Sequence, residues 1–268
     1  YPCNEVFAKL VGGLPKKVPV SAENRFQPTL ADIQSAWGEK TKGVLLASPA
    51  NPTGTMLDAD ELIAIQGFVA AQGGFFILDE IYQNLTRDHV TYTSGLSLCP
   101  DIFVLNSFSK YFGMTGWRLG WVVVPDAAVE ALTKLAQNLF ISPSTPAQYA
   151  AVAAFADDAM SIHSQRKETF ETRAKILYEG LVALGFSIPV IPDGAFYLYV
   201  DISHTNMDSA DFCWRLIEEY QVAVTPGYDF GDSDAGRYVR FAYTTSEEAI
   251  LLGLERIDQA LQDWGLKV

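Results

Sequence analysis

Four short runs in the first half of the chain are apolar almost throughout: GVLLA at 43–47, FFIL at 75–78, IFVL at 102–105 and LGWVVV at 119–124. Strands covered on both faces read this way, so each is expected to be a buried strand. Helical patterns fill the intervals. Pro28 and Thr29 start a short helix over 30–37, and Asp58 caps a second whose apolar side is Leu62, Ile63, Ile65, Phe68 and Val69, ended by Gly73-Gly74. Asp126 is expected to cap a third running to Phe140. Ahead of these, Val6, Leu10 and Val11 space as a helix stopped at Gly12-Gly13, and 17–20 offers a short strand. After the Pro-Ser-Thr-Pro loop at 143–146 the pattern changes. A long helical region over 147–184, interrupted at Asp157-Asp158, precedes strands at 195–201, 222–224 and 238–243 and helices at 209–220 and 246–264. Strand-helix alternation followed by mixed elements predicts an α/β fold: a mostly parallel sheet sandwiched by helices over 1–156, then a small α+β domain over 157–268.

Composition narrows the function classes. With 268 residues and 49% apolar content the chain can bury a large core. Its net charge of −13 repels polyanions, which argues against nucleic acid as a partner. Cys3, Cys99 and Cys213 are isolated and lack metal-ligand spacing, so they read as reduced thiols of a cytoplasmic protein, and no metal is expected. No apolar run reaches membrane-spanning length.

The chemistry gathers where the apolar runs end, the edge at which open α/β sheets bind ligands. The run at 43–47 leads into Ser48-Pro49-Ala50-Asn51-Pro52, where two prolines stiffen the turn that carries Asn51. The run at 75–78 delivers Asp79 and Glu80, with Tyr82 close behind. The run at 102–105 leads to Ser107, Ser109, Lys110 and Arg118. Each has a plainer reading: an Asn-Pro turn, a carboxylate capping the next helix, a solvated lysine. Arg240, inside the apolar YVRFAY, equally suits an ion pair with one of the 32 acids. Taken together, an amine, a carboxylate, an amide, a phenol, hydroxyls and a guanidinium are the set that pyridoxal phosphate needs. The amine condenses with its aldehyde, the carboxylate keeps the ring nitrogen protonated, the amide and phenol bond the ring oxygen, and Ser and Arg hold the phosphate.

NPTG at 51–54, DEIY at 79–82, SFSKYFGMTGWRLGW at 107–121, GAFY at 194–197 and the arginine of YVRF closely resemble the fold-type I, class I/II aminotransferases of the aspartate aminotransferase superfamily. The resemblance is collinear over nearly the whole chain. It implies that Lys110 is the Schiff-base lysine and that Asp79 pairs with the pyridinium. It implies that Asn51 and Tyr82 contact the ring oxygen, that Ser107, Ser109 and Arg118 bind phosphate, and that Arg240, with Asn51, holds the substrate α-carboxylate. It further implies transamination between an α-amino acid and a 2-oxo acid by a homodimer. The same residues would serve another chemistry on this fold, such as a β-lyase, and a similar domain serves as the effector domain of pyridoxal-phosphate-dependent transcription regulators. The GMTGWRLGW wording and the acidic charge fit the enzymes better. Family members carry an N-terminal part ahead of the equivalent of Tyr1, with a substrate arm, a helix start under the phosphate and a ring stacked on the cofactor. The expectation is that the chain without that part binds cofactor weakly and is inactive.

Overall fold

The computed structural model describes residues 1–266. In chain order the elements are α1 (Pro2–Leu10), α2 (Leu30–Ala36), β1 (Gly43–Ala47), α3 (Ala59–Ala71), β2 (Phe75–Asp79), α4 (Gly95–Leu98), β3 (Phe103–Ser107), β4 (Gly120–Val123), α5 (Asp126–Leu139), α6 (Thr145–Ala153), α7 (Asp157–Ala183), β5 (Tyr197–Asp201), α8 (Ser209–Tyr220), β6 (Thr225–Pro226), β7 (Tyr238–Ala242) and α9 (Glu247–Asp263). They fall into two compact units, one of residues 1–28, 51–55 and 169–268, the other of residues 29–50 and 56–168. These units differ from the division at 156/157 read from the sequence. The change comes inside α7, and the 51–55 loop groups with the C-terminal part.

The unit of residues 29–50 and 56–168 is built on a sheet ordered β1-β2-β3-β4. β1, β2 and β3 are parallel, and β4 returns antiparallel to β3. Register puts the strand ends side by side: Ala47 pairs with Asp79, and Asp79 with Leu105. The helices form for local reasons. Thr29 and Asp32 make a reciprocal capping box at α2, and the Asp58 carboxylate accepts the Asp60 N–H at 2.9 Å to start α3. Leu62, Ile65 and Val69 of α3 and Phe76 and Leu78 of β2 are buried, and truncating Leu62, Ile65 or Leu78 to alanine is expected to cost about 2 to 5 kcal/mol.

Several expectations need correcting. The strands are not all covered on both faces: Phe75 is 46% exposed, Leu45 of β1 is exposed, and every residue of β4 is exposed. Ile63 of the expected apolar stripe faces solvent too. β3 begins and ends later than the apolar run, because pairing with β4 carries Asn106 and Ser107 into the ladder opposite Trp121 and Gly120. Asp126 does not cap α5; it is the first helical residue, behind Pro125.

The other unit carries the sheet β5-β7-β6, antiparallel throughout. Every residue of β5 is buried. Its core joins Leu177 and Leu181 of α7, Phe212 and Leu216 of α8, Ile257 and Leu261 of α9, and Leu198, Val200, Val239 and Phe241 of the sheet. Asp208 and Ser246 cap α8 and α9. Residues 17–20 do not form the expected strand: among the described residues no ladder takes them up, and Lys17 instead pairs with Asp232 and Glu5. The strand expected at 222–224 is displaced to Thr225–Pro226, where pairing with β7 is available.

Candidate active site

The aligned ends of β1, β2 and β3 make the first group. Asp79 closes β2 and is 9% exposed; its Oδ1 accepts the Ile81 N–H at 3.1 Å. Burial holds its carboxyl above the ordinary carboxylate range, against the Ile81 hydrogen bond and the nearby Lys110 charge, which pull it down. Tyr82 is buried one turn on, and the Lys110 Nζ lies over its ring at 5.5 Å from the centroid.

Lys110 itself is half-buried in the turn that follows β3. That turn is held by the Gly113 N–H donating to the Lys110 carbonyl at 3.0 Å and by the Met114 N–H donating to the Phe108 carbonyl at 2.9 Å. Ser107 Oγ accepts the Ser109 N–H at 3.0 Å, which fixes the two hydroxyl residues relative to each other. Arg118 adopts a left-handed backbone at φ 54° and is exposed, its Nη1 donating to the Thr115 carbonyl at 2.9 Å.

Glu80 realises the plainer reading offered for the acidic pair. It is 1% exposed, its Oε1 accepts the Gly95 N–H at 2.7 Å, and its Oε2 accepts the Ser94 hydroxyl at 2.9 Å. One acid of DEIY thus caps α4, while the other stands at the strand end.

The second group lies in the other unit. Arg240 sits in β7 opposite Tyr199 on one side and Thr225 on the other. Its guanidinium is 4.3 Å from the Tyr197 ring centroid and 4.9 Å from that of Phe230. Nη1 donates to Asn51 Oδ1 at 2.7 Å and Nη2 to Thr225 Oγ1 at 3.1 Å, while Nε is buried with no partner among the described residues. The ion pair considered for this arginine is replaced by an amide, a hydroxyl and two aromatic faces. Thr225, Tyr197 and Phe230 were not singled out in the sequence. The cross-strand pairing that brings Thr225 to Arg240 has no local signature, and Tyr197 was visible only as the last letter of GAFY.

The structure therefore assembles the expected residues as two groups: Asp79, Tyr82, Ser107, Ser109, Lys110 and Arg118 in one unit, Asn51 and Arg240 in the other. Residues 1–257 match the family model described as aminotransferase class I and II. The chain belongs to that family. Among relatives, it is 36% identical over 258 residues to the valine–pyruvate aminotransferase of Mycobacterium tuberculosis, covering 96% of this chain and 66% of that protein. It is 35% identical over 263 residues to the aspartate aminotransferase of Geobacillus stearothermophilus, covering 95% of this chain and 66% of that protein. The chain thus spans just under two thirds of the length of these curated relatives. Among solved structures, an aminotransferase from Mycobacterium tuberculosis superposes with a TM-score of 0.92 at 35% identity, covering 98% of this chain and 68% of that one. Aspartate aminotransferase from Thermus thermophilus with maleate gives 0.91 at 31% identity, covering 97% and 68%. The fold is that of these enzymes, fold type I, with a mostly parallel sheet and flanking helices. Among the described residues no helix is long and apolar enough to cross a membrane.

Proposed function

We propose that the protein transfers an amino group between an α-amino acid and a 2-oxo acid, using pyridoxal phosphate. Membership of the class I and II aminotransferases supports the cofactor and the reaction type. The observation that carries the reading is the Lys110 amine held over the Tyr82 ring in the turn after β3, with the buried Asp79 carboxylate closing the neighbouring strand.

The donor set fits the cofactor. A carboxylate whose burial disfavours its charge is stabilised by a ring N–H⁺, and a half-buried amine is the nucleophile an aldehyde requires. When bound, pyridoxal phosphate supplies the aldehyde that captures the substrate amine and a ring that takes up the electron pair left at Cα. The chain's own residues do the rest. Asp79 holds a negative charge toward the ring nitrogen, Tyr82 and Asn51 donate to the ring oxygen, and Ser107, Ser109 and Arg118 bind phosphate. Lys110 takes the proton from the substrate Cα and returns it. Arg240 binds the α-carboxylate: of its guanidinium's five N–H donors, Nη1 gives one to Asn51 and Nη2 one to Thr225, and the buried Nε has no partner among the described residues.

The relatives' names span valine–pyruvate and aspartate, so the reading commits to the α-amino acid class and to no one side chain. Three free cysteines suit a cytoplasmic enzyme, and a homodimer is the assembly expected of it. To test the reading, a version of the protein that carries an N-terminal part like that of its relatives is saturated with pyridoxal phosphate, reduced with borohydride and mapped by mass spectrometry. The expected result is one modified residue, Lys110, with adduct and α-proton exchange from added amino acids both lost in Lys110→Ala. A variant that keeps both overturns the assignment.

A further inference from the structure

Residues 25–27 carry no motif, yet their backbone is unusual. Arg25 and Phe26 both adopt left-handed conformations, at φ 53° and 55°, although neither is glycine. Two consecutive side chains rarely occupy this region unless their surroundings hold them there, and such outliers gather where geometry matters for function. Here the holding contacts are visible. Arg25 Nη2 donates to both carboxylate oxygens of Asp193, at 2.7 and 2.8 Å. Phe26 is buried edge-on against Tyr199 and Tyr238.

The strained pair delivers Gln27 to the loop that carries Asn51. Gln27 is 8% exposed, and its Nε2 donates to the Thr55 carbonyl at 2.9 Å and reaches Thr55 Oγ1 at 3.3 Å. Thr55 Oγ1 is in turn 2.8 Å from Thr53 Oγ1, and both threonines are buried. From the other side, the Asp193 and Gly194 N–H groups donate to the Gly54 carbonyl, each at 2.9 Å. The 25–27 segment thus grips both the 51–55 loop and the 191–194 segment that supports it. At the head of the clamped loop, Asn51 Oδ1 accepts from Arg240 Nη1 at 2.7 Å.

We propose that Gln27 is a positioning residue for substrate-carboxylate binding, acting through the 51–55 loop to hold Asn51 against Arg240. This rests on the assignment of Arg240 as the carboxylate ligand. A half-buried arginine beside aromatic rings has several rotamers, and the amide fixes one; whatever fixes the amide therefore sets how much ordering a carboxylate must bring about when it binds.

The test uses the chain as it stands and succinate, a dicarboxylate with no amine or carbonyl to react, with binding followed by calorimetry. Gln27→Met keeps the length and removes the donor, and is expected to raise the dissociation constant about tenfold, the size of one lost hydrogen bond. Because the effect passes through Asn51, the Gln27→Met/Asn51→Ala double variant binds no more weakly than Asn51→Ala alone, whereas a merely structural loss would add to it. Wild-type affinity in Gln27→Met, or a fully additive double variant, overturns the proposal. Succinate affinity that is undetectable in the wild type or unchanged in Arg240→Lys overturns the Arg240 assignment itself, and the inference with it. Should Gln27→Met not fold, hydrogen exchange at the Gln27 side-chain amide of the unmodified chain decides: saturating succinate is expected to slow it, and an unchanged rate overturns the proposal.

Discussion

The group at the strand ends and the group around Arg240 are held in opposite ways. Asp79 is fixed by the N–H two residues on, Ser107 by that of Ser109, and Arg118 by the carbonyl of Thr115, while register between adjacent strands does the rest. Around Arg240 the fixing contacts leap along the chain: 189 residues from Arg240 to Asn51, 168 from Arg25 to Asp193, 28 from Gln27 to Thr55. A locally fixed group survives the loss of any distant residue. A group fixed by long-range hydrogen bonds depends on residues that never meet the ligand, and can be loosened from several places. The first arrangement suits groups that must stand at a set depth in a sheet edge, the second a fork that must meet a carboxylate at one angle.

The sharpest break in the first group is Asp79→Asn. Removing a preorganised charge from a buried position is expected to slow the chemical step by roughly a hundred- to a thousandfold, or about 3 to 4 kcal/mol. Because its fixing contacts are local, the neighbours stay in place, and succinate affinity at Arg240 is expected not to change. Single-turnover rates with a saturating amino acid, read in a version that carries an N-terminal part like that of its relatives, give the first quantity. A rate close to wild type would reduce Asp79 to a strand-end residue like its neighbour Glu80.

The matching break in the second group is Gly54→Ala. Gly54 has φ +68°, and a Cβ there would lie 2.5 Å from the Gly194 carbonyl oxygen and 2.6 Å from Pro192 Cβ. Left-handed strain and a backbone contact that cannot give way are together expected to cost about 2 to 3 kcal/mol of stability, with succinate binding weakened as the loop shifts. Chemical denaturation checks the first and calorimetry the second. A stable variant with wild-type affinity would mean that the loop tolerates displacement and that Asn51 is not set by it.

Glu80 sharpens the contrast inside the DEIY motif. Glu80→Gln keeps the shape but weakens the acceptor that satisfies the Gly95 N–H and the Ser94 hydroxyl, for an expected loss of about 1 to 2 kcal/mol in stability with turnover per folded molecule unchanged. The two adjacent acids would then separate cleanly, one affecting rate and the other stability. A turnover loss comparable to that of Asp79→Asn would place Glu80 in the chemistry as well.

What was legible in the sequence follows the same division. The strand ends are legible because an apolar run followed by polar residues is a local pattern, and the helix that Asp58 starts because an aspartate ahead of an apolar stripe marks its start locally. The NPTG motif marks Asn51, but nothing near Arg25, Phe26 or Gln27 signals a role, since their partners lie in distant segments. The missed strand positions have a similar origin. β3 extends to Ser107, and β6 forms at Thr225–Pro226, because a neighbouring strand offers hydrogen bonds there, a property of the pairing and not of the residues themselves. Burial was over-read for the same reason: GWVV has the composition of a covered strand, yet β4 pairs through its backbone while its side chains stay exposed.

The smallest effect expected is the pH dependence of stability at Asp79. Burial holds the Asp79 carboxyl above the 3.8 of an unperturbed aspartate, so the folded chain keeps this proton longer than the unfolded chain does. A group whose folded pKa is raised lowers stability as pH rises from its unfolded value through its folded one, and the loss is complete above the folded value. Asparagine stays neutral at every pH and can still accept the Ile81 N–H through its amide oxygen. Without cofactor, Asp79→Asn is therefore expected to melt above the wild type at pH 7, by a margin that shrinks on acidification and vanishes below the unperturbed aspartate range. Scanning calorimetry from pH 3 to pH 8 reads it directly. A margin independent of pH would assign the gain to packing, and a variant less stable at pH 7 would mean that the Ile81 hydrogen bond and the Lys110 charge outweigh burial. Pyridoxal phosphate should reverse the ranking, because a protonated ring nitrogen beside Asp79 turns the buried charge from a penalty into an ion pair that asparagine cannot form.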